Sequence, residues 1–314
     1  MKRRRGRQMV VALMVLGATA CHTVAERVDD PAIPRLQAVQ RLGTFGDPTL
    51  LEASGIVPAS RRAGVFWSLN DGGNAPQLFA HDSAGHQLGT VRVVGAENRD
   101  WEALGSGPCP AGRCLYIGDV GDNGARQRTV RLYRVPEPLP TDAVTGPAES
   151  VTIRYVDGPH DVEAMWVAPD SGVLLLSKRP GRNRENSLRP ARVYRVGAAA
   201  WRDARGDGSV AVAELVDSLP ITPEPGLPWG WITDAALSDP DATGARRLAV
   251  RSYGHVVVFA ADALTARPGR LLARCSLAPL AGGLFGEGIA WFPDGRLLFT
   301  NEGRHSALDA GRCP

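Results

Sequence analysis

An all-β fold, a β-propeller of four-stranded antiparallel blades, is predicted by three observations on this 314-residue chain. Short runs alternate apolar and polar residues and are separated by Gly, Pro, Asn and Asp, which is strand and turn chemistry. A unit of roughly 50 residues recurs, the length of one four-stranded blade. The 36 Gly and 24 Pro supply many turns and argue against a helical bundle.

Each repeat opens on a short polar-then-apolar signal: Glu52–Ile56, Asp100–Leu104, Asp161–Met165, Thr233–Leu237 and Gly286–Ala290. A second strand follows at Val65–Leu69, Cys114–Gly118, Val173–Ser177, Arg247–Arg251 and Arg296–Thr300. Third strands are expected at Gln77–His81, Val130–Arg134, Arg192–Val196 and His255–Phe259. Fourth strands are expected at Leu88–Val94, Ser150–Tyr155, Val210–Val216 and Arg270–Ser276. Counted from Ser54 to Glu102, Glu163, Asp234 and Glu287, the repeats are 48, 61, 71 and 53 residues apart. Loop-like insertions at Pro136–Glu149, Arg179–Pro190, Ala198–Gly208 and Pro220–Gly230 account for the longer gaps. The count is five blades, or six if an insertion holds one. The last repeat lacks a fourth strand, and the run Arg35–Leu42 lacks a blade. Pairing the two closes the ring and removes its free edges.

The first residues read as a leader. Positions 2–7 are basic, 9–20 are apolar, and Cys21 follows small residues. Ala18-Thr19-Ala20 suits ordinary signal peptidase, and a cysteine directly after the cut resembles a bacterial lipobox. The expected organisation is a signal peptide over 1–20, a tether over 21–34 and the propeller over 35–314, with Cys21 lipidated. The protein would then sit in the cell envelope, in the periplasm or at the outer surface. The other four cysteines form an even set in an oxidising compartment, paired as Cys109–Cys114 and Cys275–Cys313. Their spacing does not suit a zinc finger.

The formal charge of +3 falls to −2 once the five leader cations Lys2, Arg3, Arg4, Arg5 and Arg7 are removed, which argues against a nucleic-acid partner. Past the leader no apolar run reaches 18 residues, so contact with a membrane is expected through the lipid anchor alone. A monomer that binds a small molecule or an envelope protein is the expectation.

A propeller gathers the starts of its first strands and the ends of its second strands at one channel mouth. Glu102, Glu163 and Glu287, with Asp100, Asp161 and Asp234, are therefore the candidate metal ligands. Converging carboxylates repel one another, and Ca²⁺, which takes six to eight oxygens, is the simplest compensation. Alternatively the acids cap neighbouring backbone. Lys178, Arg179, Arg251, Asn70, Asp71, Asp119, Asn301 and Glu302 stand at strand exits as candidate ligand-binding residues. His160 is either a base beside the acids or a turn residue. Gly118–Gly124 is an acceptor-rich turn without the terminal Glu or flanking helices of an EF-hand. Neither Ser54 nor Ser106 sits in a G-x-S-x-G elbow, so a serine nucleophile has little support.

The segments Leu51–Ile56, Trp67–Asp71, Arg99–Ala103, Tyr116–Asn123 and Asp161–Ala164 resemble those of bacterial envelope propellers. The Asp-x-Glu-Ala pattern is similar to that of the SdiA-regulated family and, more distantly, of the esterase-like and phytase-like propellers. The resemblance implies five blades and a metal at the channel carboxylates, with Glu102, Glu163 and Glu287 matching and Ser54 and Asp234 departing. Two functions stay open: ligand or partner binding at the mouth, with a divalent cation, or calcium-dependent hydrolysis of a phosphoester, lactone or ester.

Overall fold

In the computed structural model, which describes residues 33–178, 190–203, 208–221, 230–278, 280 and 286–314, backbone pairing groups the strands into blades. Strand β1 (Gln37–Thr44) precedes the first of them. Blade one holds β2 (Ala53–Pro58), β3 (Val65–Asn70), β4 (Gln77–Asp82) and β5 (Gln87–Val94). Blade two holds β6 (Trp101–Cys109), β7 (Gly112–Asp119), β8 (Val130–Pro136) and β10 (Glu149–Tyr155), with β9 (Val144–Pro147) between them in sequence. Blade three is β11 (Val162–Val167), β12 (Val173–Ser177), β13 (Ala191–Val196) and β14 (Val210–Leu219). Blade four is β15 (Ile232–Leu237), β16 (Arg246–Ser252), β17 (His255–Ala261) and β18 (Pro268–Ser276). Blade five is β19 (Gly286–Trp291), β20 (Leu297–Asn301) and β21 (Ala307–Arg312), completed by β1.

The burial pattern follows from stacking blades face to face. Strands β3, β11 and β12 are buried along their whole length, because both of their faces meet a neighbouring blade. The outermost strands β14 and β18 are largely exposed. Each neighbouring pair encloses its own apolar core. Trp67 and Leu78 pack with Trp101 and Tyr133 between blades one and two. Tyr116 and Ile153 pack with Met165 and Tyr194 between two and three. Trp166 and Leu174 share a core with Leu248 and Phe259, and Val256 and Val258 share one with Ile289 and Phe299. Ala290 and Leu298 meet Phe66 and Phe79, so blade five returns to blade one.

Ring closure takes the expected route. β1 runs antiparallel to β21, with Gln40 opposite Ala310 and Thr44 opposite Ala307. Arg41 Nε lies 2.6 Å from Asp309 Oδ1 across that seam. Both expected disulfides are present. Cys109–Cys114 spans the β6–β7 hairpin, and Cys275–Cys313 ties blade four to the end of blade five.

Three features depart from the sequence reading. The insertion at Pro136–Glu149 is not all loop, since β9 adds beside β5 in parallel as a fifth strand of blade one. The outer strands β10 and β14 also pair in parallel, which makes blades two and three one continuous eight-stranded sheet. The insertion at Ala198–Gly208 contains the helical turn Ala200–Asp203. Residues 1–32, including the leader and Cys21, lie outside the described residues, as do Arg179 and most of the insertions at 179–190 and 220–230. Among the described residues no helix is long and apolar enough to cross a membrane.

Candidate functional site: an acidic channel mouth

Register decides which side chains share the channel. Ala53 pairs with Asn70, Trp101 with Asp119, Val162 with Ser177, Ile232 with Ser252 and Gly286 with Asn301. The next residues, Ser54, Glu102, Glu163, Thr233 and Glu287, are therefore equivalent. A register shift follows in every inner strand, and a bulge of this kind re-aims its side chains. Blade four thus contributes Thr233 to the ring, and Asp234 belongs to the next layer.

A second tier comes from the residue after each second strand. Asp71 N donates to Glu52 O, Val120 N to Asp100 O, Lys178 N to Asp161 O and Tyr253 N to Trp231 O, all between 2.9 and 3.2 Å. Asp71, Val120, Lys178 and Tyr253 are thus equivalent, and Glu302 holds the same place after β20. Tyr253 was not among the sequence candidates. Aligning the ends of the second strands would have found it.

The mouth carries far more acid than base. Lys178 Nζ lies 2.5 Å from Glu163 Oε1. Burial works against the Lys178 ammonium, yet Glu163, Tyr253 and Glu102 outweigh it and hold its pKa above the usual range. Burial, with Asp161 adding to it, lifts Glu163 to about 7 even with that lysine beside it. Glu102 is raised well above the ordinary carboxyl range by burial, then by Glu163 and Asp71. Burial, Glu163 and Glu302 do the same to Glu287. Asp100 rises to about 6, from burial and the nearby Asp71, Asp161 and Asp119. Asp71 and Glu302 are also raised, burial being the largest cause in each.

The carboxylates converge most closely between blades one and two. One oxygen each from Asp71, Asp100 and Glu102 lies within 4.8 Å of the others. Among the described residues this is the carboxylate group close enough to share an ion. The rim is open, since Asp71 and Asp100 are only partly buried.

The other sequence candidates face the backbone. Asn70 Oδ1 accepts from Leu51 N and Glu52 N at 2.9 and 3.1 Å. Asp119 Oδ1 repeats this in blade two, accepting from Arg99 N and Asp100 N at 3.2 and 2.7 Å. Asp161 Oδ1 accepts from Asp122 N at 3.0 Å. Asp122 in turn accepts from Gln127 N at 2.6 Å, so the acceptor-rich turn is closed on amides. Asp234, fully buried, accepts from Ala235 N and Ile289 N at 2.8 Å each and from the Ile56 amide. It thus ties β15 to β19 and β2 across the channel. Burial raises its pKa well above the usual range.

Arg251 is a fully buried staple. Its Nη1 donates to Gly288 O at 2.7 Å and Thr300 O at 2.6 Å, and its Nη2 to Asn301 Oδ1 at 3.2 Å. Position 286 must be Gly, because a Cβ there would run into Arg251 Nη2. Arg251 and Asn301 are therefore committed to each other and do not face a ligand. His160 is packed on Tyr155 and Tyr194 with Nε2 2.8 Å from Asp157 Oδ1, apart from the ring acids.

No family model matches the chain, and no curated protein matches it. Similar solved structures include a GH43_1 enzyme from Xanthomonas citri complexed with xylose, at 13% identity and TM-score 0.47, covering 93% of this chain and 92% of that one. A gluconolactonase from Xanthomonas campestris is 14% identical with TM-score 0.44, covering 90% and 95%. The Dos1 propeller is 7% identical with TM-score 0.37, covering 85% and 69%. Blade topology and the ring of inter-blade cores define this chain as a β-propeller with an acidic channel mouth.

Proposed function

We propose that this chain is an exported, lipid-anchored envelope propeller that holds a divalent cation, Ca²⁺ by its donor chemistry, at the channel mouth and binds a small molecule or envelope protein there. The proposal includes membership of the SdiA-regulated or phytase-like group of propellers. The observation that carries the cation is the group Asp71, Asp100 and Glu102, with ligand oxygens within 4.8 Å. Hard oxygen donors at a partly open rim suit a hard cation. Lys178 is engaged by Glu163, and Arg251 is turned into the blade wall. The set of candidate ligands thereby narrows: Glu163 and Glu287 add charge around the ion, and Asp161 and Asp234 hold backbone.

A metal-dependent hydrolase is the second reading. Its support is Glu163, whose pKa of about 7 suits proton transfer near neutrality. A bound cation would supply Lewis acidity; Glu163, its Oε1 held by the Lys178 ammonium, would hold or release a proton at Oε2.

Melting curves test the cation. Without one, the folded mouth keeps protons that the unfolded chain has released between about pH 4.5 and pH 7, so stability falls as pH rises through that window. In chelator the melting temperature is expected to be lower at pH 7.5 than at pH 5. Calcium at a hundredfold excess over Kd should add about 2.7 kcal/mol, or about 5 °C, at pH 7.5. Asp71→Asn with Glu102→Gln should remove that gain. Curves unmoved by calcium, magnesium or manganese would end both readings of the metal.

The anchor has its own test. A clickable fatty-acid analogue should label the exported wild type and leave Cys21→Ser unlabelled; equal labelling of both would refute lipidation at Cys21.

A further inference from the structure

The channel has a second end with the opposite chemistry. Below the acidic ring, the bonds from Asp234 to blades five and one lie across the channel. Beyond that layer the inner strands become apolar, and a cavity of about 400 Å³ opens on the far face. Leu104, Met165, Val167, Trp291 and Phe292 line it. Its volume lies in the range of small-molecule sites. The walls are held in place: Trp291 Nε1 donates to Ala236 O at 2.9 Å, and Gly107 leaves room for Val167, which a Cβ there would strike.

Two arginines stand at its rim from different blades. Arg113 donates to Ser106 Oγ at 3.3 Å, and Arg247 lies over the Trp291 ring at 5.9 Å. Among the described residues neither guanidinium forms a salt bridge. Two acids also reach the lining, Asp239 and Asp241. The Asp241 carboxylate is held in its own turn, accepting from Thr243 N at 2.8 Å and Ala245 N at 3.1 Å. Asp239 is exposed at the edge of the loop.

We infer that this funnel is a second binding site, separate from the acidic mouth, for a small amphipathic anion with an apolar aromatic or branched body. The body fills the walls, and the anionic group meets Arg113 and Arg247. An anion is repelled at the acidic end and received at this one. Nothing in this inference depends on the cation.

Two dyes with one aromatic skeleton test it: anilinonaphthalene sulfonate, an anion, and phenylnaphthylamine, its neutral counterpart. The sulfonate should bind the folded wild type saturably at one per chain, with calcium or chelator making no difference. Ser106→Trp, which fills the funnel from β6, should abolish binding of both dyes; Leu237→Gln tests the opposite wall if the first variant does not fold. Arg113→Ala with Arg247→Ala, both exposed, should weaken the sulfonate about tenfold and leave the neutral dye within twofold. The inference is overturned if the sulfonate does not saturate, if wall variants bind it unchanged, if both dyes weaken alike in the arginine variant, or if calcium displaces it.

Discussion

Replacing Arg251 with Met should cost about 3–5 kcal/mol, the expected loss when one partner of a buried charge network is removed. Arg251 is fully buried, and burial draws even its guanidinium down to about 10. The charges of Glu287, Asp234 and Asp309 keep it ionised. Methionine fills similar volume but leaves the carbonyls of Gly288 and Thr300 without this donor and the buried Asp234 and Glu287 without its charge. Arg251→Lys should recover only part of the loss, because one ammonium cannot reproduce a planar fork reaching three acceptors. Denaturant unfolding measures both variants. A loss under about 1 kcal/mol in Arg251→Met would show that this staple contributes little.

Removing the second disulfide should be nearly as damaging. Cys275 and Cys313 are 38 residues apart in sequence. The chain-entropy model then gives about 4 kcal/mol for losing the bond as Cys275→Ala with Cys313→Ala. The site matters as much as the loop length. Cys313 follows β21, the strand on which β1 closes the ring, so the bond holds the seam to blade four. The Cys109–Cys114 pair closes a loop of sequence separation 5 within one hairpin and should contribute much less. Equal losses from the two pairs would contradict this ranking.

Strand positions were readable because alternation is local. β12 was expected at Val173–Ser177 and is found there; β6 runs five residues past its expected end at Leu104, and the other expected strands differ at their ends by at most three residues. Closure by the N-terminal strand was readable from a repeat short of one strand and a strand without a blade. Glu102 and Glu163 were readable because the same Asp-x-Glu-Ala pattern carries both, and Glu287 because an apolar strand follows it after a turn, as in the other repeats. Asp234 was misplaced by one position, since Thr233-Asp234 imitates the repeat while the pairing of Ile232 with Ser252 puts Thr233 in the ring. β9 was hidden because an edge strand of four residues between prolines carries almost no periodicity.

By itself, then, the sequence determined the elements, their order, the cysteine pairing and the accumulation of acid at one end of the strands. These depend on neighbours along the chain and on turn chemistry. Only the tertiary structure decided how those acids divide. Asp119, Asp161 and Asp234 turn to backbone amides, Glu163 takes the lysine, and Asp71, Asp100 and Glu102 draw together. It also decided that Arg251 is a wall staple and that the far end of the channel is an apolar funnel. The physical reason is register: a shift of one residue in a strand reverses the face a side chain occupies, and here the shift is set by bulges and ring closure among strands far apart in sequence.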